Sequence, residues 1–142
     1  MTGIAYLSDT DWAIHHMKRV PRVTSRLQEL LPLGAALSLV SLAEPWEGVR
    51  FSRDPAQSRI LLDEFLEAVT LVPIAERVCE RFGSLRGTLR QRGALPGDID
   101  LFIAATALEY NLRLLSNNRK HFSSVTPFYL RRRESETYST NV

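Results

Sequence analysis

The run "IAYLS", residues 4–8, is apolar without alternation. A strand with one wet face must alternate polar and apolar side chains, so an unbroken run marks a central strand covered on both faces, as in a parallel sheet. Further short runs recur at wide intervals: "AALSLVS" from Ala35, "TLVPI" from Thr70, "LRLLS" from Leu112 and "TPFYL" from Thr126. Helical patterns fill the gaps. "TDWAIHHM" reads as a short helix, and "PRVTSRLQELL" places Val23, Leu27, Leu30 and Leu31 on one face, with Gly34 ending it. A helix is expected to start near Ser41. Another starts with Asp54 as N-cap and Pro55 in the first position, turning Ile60, Leu61, Phe65 and Leu66 inward. The longest, "AERVCERFGSLRGTLRQRG", carries the stripe Val78, Phe82, Leu85 and Leu89, with Cys79 read as core. "IDLFIAATALEY" follows, with Asp98 as its N-cap and Asn111 as a left-handed C-cap. Strands alternating with helices specify an α/β fold around a parallel sheet of four to five strands.

The length, 142 residues, fits one domain over residues 1–130. The remainder, "RRRESETYSTNV" at 131–142, offers few apolar residues for packing and reads as a flexible polar tail. A net charge of +2 does not by itself mark a nucleic-acid binder. Lys18 and Lys120 are the only lysines among the cations; phosphate recognition and genomic base composition explain that bias equally. Cys79 is the only cysteine, so an intrachain disulfide and a cysteine-based zinc site are excluded, and a cytoplasmic setting is expected. "LLPLGAALSLVSLA" is too short and too interrupted to span a membrane, and the N-terminus lacks a signal-peptide pattern.

Ligands of open parallel sheets bind beyond the carboxyl ends of the strands. Asp9 and Asp11 follow the first strand, Glu44 follows the second, and Asn117 and Asn118 follow the fourth, while Asp98 and Asp100 open the helix that leads into it. Converging carboxylates raise one another's pKa unless a cation neutralises them. A hard divalent ion with oxygen ligands does so, and a water on it can attack a phosphodiester. Each acid also has a structural reading. Asp9 and Asp98 can cap helices, Ser41 and Glu44 have capping-box spacing, the helix dipole favours Asp100, and the two asparagines suit a tight turn. His15 and His16, adjacent on a helix, point about 100° apart and read as surface residues. Trp12 and Trp46 read as packing residues.

Taken in order, "YLSDTDWAI", "SLVSLAEPWEGV", "LVPIAERVCERFGSLRGTLRQRG" and "GDIDLFIAATALEYNLRLLSNNRKHF" resemble the successive motifs of PIN-domain ribonucleases, most closely the VapC toxins of prokaryotic toxin–antitoxin pairs. The resemblance spans residues 4–130. It implies a compact α/β nuclease fold, a Mg²⁺ or Mn²⁺ cofactor, endonucleolytic cleavage of RNA, a VapB-like antitoxin partner and a homodimer. It places Asp9, Glu44 and Asp100 as catalytic acids and metal ligands, with Asp98 and Asn118 beside them and Asp11, Ser116 and Asn117 in support. Arg119 and Lys120 fall where RNA phosphates are expected. In two places the chain departs from the pattern: Asp11 stands where many members have Asn, and Asn118 where many have a fourth acid.

Two other functions fit parts of the pattern. "LSDTD" after a strand resembles the DxD motif of haloacid-dehalogenase phosphatases, with Asp9 as nucleophile and Asp11 as general acid, although Ala13 departs from it and the chain is short for that fold. The neutral Asn118 is compatible with a catalytically degenerate PIN domain that binds RNA or a protein.

Overall fold

Strand β1 (Tyr6–Ser8) is buried along its whole length and pairs in parallel with β2 (Ala35–Ser38) on one side and β4 (Arg113–Leu115) on the other. The structure is a computed structural model that describes residues 3–116, 119–125 and 138–139. Strand β3 (Thr70–Val72) extends the sheet beyond β2, and β5 (Tyr138–Ser139) pairs with β4, giving the all-parallel order β3-β2-β1-β4-β5. The fifth strand thus comes from the segment read as a loose tail. Backbone pairing at a sheet edge needs no apolar side chains, so composition gave no sign of it. The expected strand at 126–130 lies outside the described residues.

Helices cover both faces, which is why the strands do not alternate in polarity. Leu7, Ala36, Val72 and Leu114 point into a core shared with α5 (Glu76–Gln91) and α6 (Asp98–Tyr110). Their neighbours Tyr6, Ala35, Leu37 and Leu115 point the opposite way, into a core built with α1 (Thr10–Met17), α2 (Pro21–Leu30) and α4 (Pro55–Ala68). Helix α3 (Ala43–Arg50) packs against α1 and α4, and the short α7 (Arg119–Phe122) follows β4. No helix among the described residues is long and apolar enough to cross a membrane.

Local chemistry explains most boundaries. The Asp54 carboxylate accepts from the Gln57 N–H at 3.1 Å and caps α4 as expected. Asn111 is left-handed, with φ 57° and ψ 47°, and ends α6. Gly34 has φ +86°, and a Cβ there would collide with the Gly3 carbonyl and the Ile4 Cα. That close approach lets the Gly34 carbonyl accept from the N–H groups of Ala5 and Tyr6 at 3.0 and 3.1 Å. On α6, Ala104, Ala105 and Ala107 are fully buried, small enough for α6 to pack closely.

Other expectations are corrected. Ile60 is 53% exposed, and Leu62 takes the buried place beside Leu61 and Phe65. Cys79 is exposed, being rotated about 100° around α5 from the buried Val78. Trp46 lies on the surface beneath the Arg59 guanidinium, 4.5 Å from its ring centroid, whereas Trp12 is fully buried as expected. Asp98 is the first residue of α6 and Gly97 its N-cap.

Candidate active site

At the carboxyl end of β1 the backbone leaves the sheet through Asp9. Its N–H donates to the Leu115 carbonyl at 2.8 Å, carrying the β1–β4 ladder one bond further. Asp9 occupies the N-cap position of α1 in extended conformation, yet its carboxylate makes no capping hydrogen bond. Instead Oδ2 accepts from the Ser116 hydroxyl at 2.7 Å. The residue is only 4% exposed. A carboxyl so enclosed prefers its neutral form, and burial is the main cause that pushes the Asp9 pKa from 3.8 up to about 6. The Ser116 hydroxyl pulls it down, while the charges of Asp11 and Asp100 push it further up.

Helix α3 brings in the second acid. The chain leaves β2 through a 3-10 turn, Leu39–Leu42, and α3 then begins at Ala43. Neither end of this turn has a side-chain cap, and the buried Ser41 hydroxyl has no hydrogen-bond partner, so Ser41 and Glu44 do not form a capping box. Glu44 is exposed and faces the same cavity as Asp9. The first turn of α6 supplies Asp98 and Asp100. Asp98 is exposed and paired with Arg86 Nε of α5 at 3.2 Å.

These segments enclose a cavity of about 390 Å³, lined by Asp9, Thr10, Asp11, Glu44 and residues 97–100. Five carboxylates from three regions of the chain face it, and no Lys or Arg lines it among the described residues. Thr10 is 5% exposed, and its hydroxyl points to no hydrogen-bond partner. Thr10 was not anticipated, although its place between two acids in "SDTD" was the available signal. Among the described residues no three His, Cys, Asp or Glu side chains stand close enough to grip one ion directly. The donor set fits a hard cation that keeps most of its waters: Mg²⁺ is usually bound through one or two carboxylates, with waters completing the octahedron.

Of the remaining expected residues, Ser116 is buried against Asp9, and Asp11 is half-buried in the cavity wall. Asn117 and Asn118 lie outside the described residues. Arg119 opens α7, and Lys120, next to it, is exposed in a neighbouring cavity that also touches Gly97 and Asp100.

A family model described as the PIN domain matches residues 6–126. The chain belongs to the PIN-domain family. Among PIN-domain relatives, "Ribonuclease VapC1" of Haemophilus influenzae is 32% identical over 123 residues, covering 85% of this chain and 92% of that protein. "Ribonuclease VapC2" of Rickettsia felis is 31% identical over 122 residues, covering 84% and 91%. The fold agrees with the crystal structure of VapBC2 from Rickettsia felis bound to a DNA fragment from their promoter. The TM-score is 0.77 at 30% identity, over 84% of this chain and 92% of the other. In this PIN domain the acidic cavity lies where β1 and β4 end and α6 begins, at the carboxyl edge of the sheet.

Proposed function

We propose that this PIN domain is a divalent-metal-dependent endoribonuclease and the toxin of a toxin–antitoxin pair. The observation that carries the reading is the buried Asp9 carboxylate, held by Ser116 in a five-carboxylate cavity with no lining Lys or Arg among the described residues. An anion so placed calls for a cation from outside the chain. Relatives named ribonuclease VapC, and a structural neighbour that is a VapBC complex, support RNA as substrate and a VapB-like antitoxin as partner. A homodimer and a cytoplasmic setting complete the proposal. Family membership displaces the phosphatase alternative.

Asp9, Glu44 and Asp100 would hold Mg²⁺ or Mn²⁺, one or two of them directly and the rest through the ion's waters, with Asp98 a further acid of the same cavity; the sequence reading adds Asn118 to this set. Bound there, the ion would acidify a water and offset charge on the phosphate. The chain's own contribution is positional. Ser116 fixes one oxygen of Asp9, holding the carboxylate at the cavity wall. Asp11 adds negative charge to the wall, in keeping with its upward push on Asp9.

The test is inducible expression of wild type and Asp9→Ala with RNA end mapping, beside purified protein assayed with Mg²⁺, Mn²⁺ or EDTA. Growth arrest and discrete new RNA ends in wild type only, lost in EDTA, are expected. RNA ends that persist in Asp9→Ala overturn the assignment; a folded wild type that binds RNA but never cuts it supports the degenerate-domain alternative.

A further inference from the structure

Beside the acidic cavity lies a second one of about 530 Å³, and the two share Gly97 and Asp100. They adjoin at the start of α6. Beyond that shared acid their linings differ. The first presents carboxylates. The second adds to the shared Asp100 carboxylate the apolar residues Ala94, Leu95 and Pro96, together with Lys120, Ser123 and Ser124. Its volume falls within the roughly 300–1,000 Å³ typical of small-ligand sites.

Leu95 is 40% exposed in the loop between α5 and α6, an apolar side chain left at a cavity mouth. Lys120 is exposed, and among the described residues its ammonium forms no ion pair, whereas Arg77, Arg81 and Arg86 of α5 are each paired with a carboxylate. Ser123 donates its hydroxyl proton to the Lys120 carbonyl at 3.0 Å, tying that turn together and leaving its oxygen lone pairs available. A cation, hydroxyls and an apolar face in one compartment match the three parts of a nucleotide: phosphate, ribose and base.

We infer that this second cavity is a nucleotide subsite, seating the residue of a single-stranded RNA next to the phosphodiester held in the acidic cavity. The inference rests on the ribonuclease reading for its substrate class. Lys120 contacts the flanking phosphate, Leu95 and Pro96 pack against the base, and Ser123 and Ser124 face the sugar. An acidic cavity alone repels a polyanion; an unpaired lysine one compartment away holds the strand in place while the scissile phosphate enters.

The test is equilibrium binding of a fluorescein-labelled single-stranded oligoribonucleotide of about 12 nucleotides in EDTA, read by fluorescence anisotropy, where no cutting interferes. Lys120→Ala and Leu95→Asp are each expected to weaken binding about tenfold, with Lys120→Arg close to wild type. Lys120→Ala should also lower the log–log salt slope by about 0.7, the loss of one single-strand phosphate contact. Lys18→Ala, at the far end of α1 from Asp9, should bind within twofold of wild type. Binding by both Lys120→Ala and Leu95→Asp within twofold of wild type overturns the subsite, as does a wild type with no affinity for RNA. A wild type that binds as described yet never cleaves with Mg²⁺ or Mn²⁺ leaves the subsite standing and removes the nuclease.

Discussion

Replacing Asp9 with Asn should make the metal-free protein more stable while abolishing cleavage. The Asn side chain keeps an oxygen for the Ser116 hydroxyl, which donates to Asp9 at 2.7 Å, and removes the charge. The magnitude follows from the carboxyl's displacement from 3.8 to about 6. At about 1.4 kcal/mol per pH unit, that displacement corresponds to about 3 kcal/mol. The sign follows from proton binding. The folded chain holds this proton more tightly than the unfolded one, so folding is penalised as pH rises from 3.8 to about 6, and the full penalty persists above that window. The stability difference between Asp9→Asn and wild type should therefore be near zero at pH 4 and reach about 3 kcal/mol at pH 7.5. In a domain of this size that is roughly 10 °C in Tm. Urea unfolding in EDTA, repeated across pH, measures it. Saturating Mn²⁺ should stabilise the wild type and close the gap, because an ion bound only to the folded state adds to its stability. A difference between the two proteins that does not change with pH would refute the account of Asp9 as an anion held against its preference.

Three further outcomes are expected. Ser116→Ala removes the one hydroxyl that favours the Asp9 anion, so the acid limb of the pH–rate profile should move to higher pH by about one pH unit, with cleavage recovering in more alkaline buffer; an unmoved limb counts against Ser116 as a positioning residue. Gly34→Ala must accommodate a Cβ against the Gly3 carbonyl at φ +86°, and a loss of at least about 2 kcal/mol in urea unfolding is expected. Trp12→Ala empties a fully buried site beside Phe65 and Leu115 and should lower stability by about 3–5 kcal/mol, measured the same way.

The sheet was legible because its signal is carried by composition over short windows: "IAYLS" and "LRLLS" are apolar on both faces, and Asp54-Pro55, Gly34 and Asn111 punctuate the elements by local stereochemistry alone. Where the sequence misled, tertiary packing made the choice. Ile60, Leu61 and Leu62 are consecutive, and only the docking of α4 decides that Ile60 faces water. The capping-box spacing at Ser41 and Glu44 was defeated by a 3-10 turn that delays α3 to Ala43. The acids were legible as a set because strand ends and helix starts converge in any parallel sheet. The Asp9–Ser116 hydrogen bond was not, since the two residues lie 107 positions apart. The unpartnered hydroxyl of Thr10 was equally invisible, because being unpartnered is a property of the surroundings and not of the residue.

The pairing of β1 with β4 has a temporal consequence. The residues around the acidic cavity come from 9–11, 44 and 97–100, and Asp9 is anchored through Leu115 and Ser116. During synthesis the first carboxylates emerge long before the strand that fixes them. Contacts of such large sequence separation close late. A nascent chain stalled before β4 has its acids but nothing to hold Asp9 in register, so the cavity is completed only after Leu115 and Ser116 have joined the sheet.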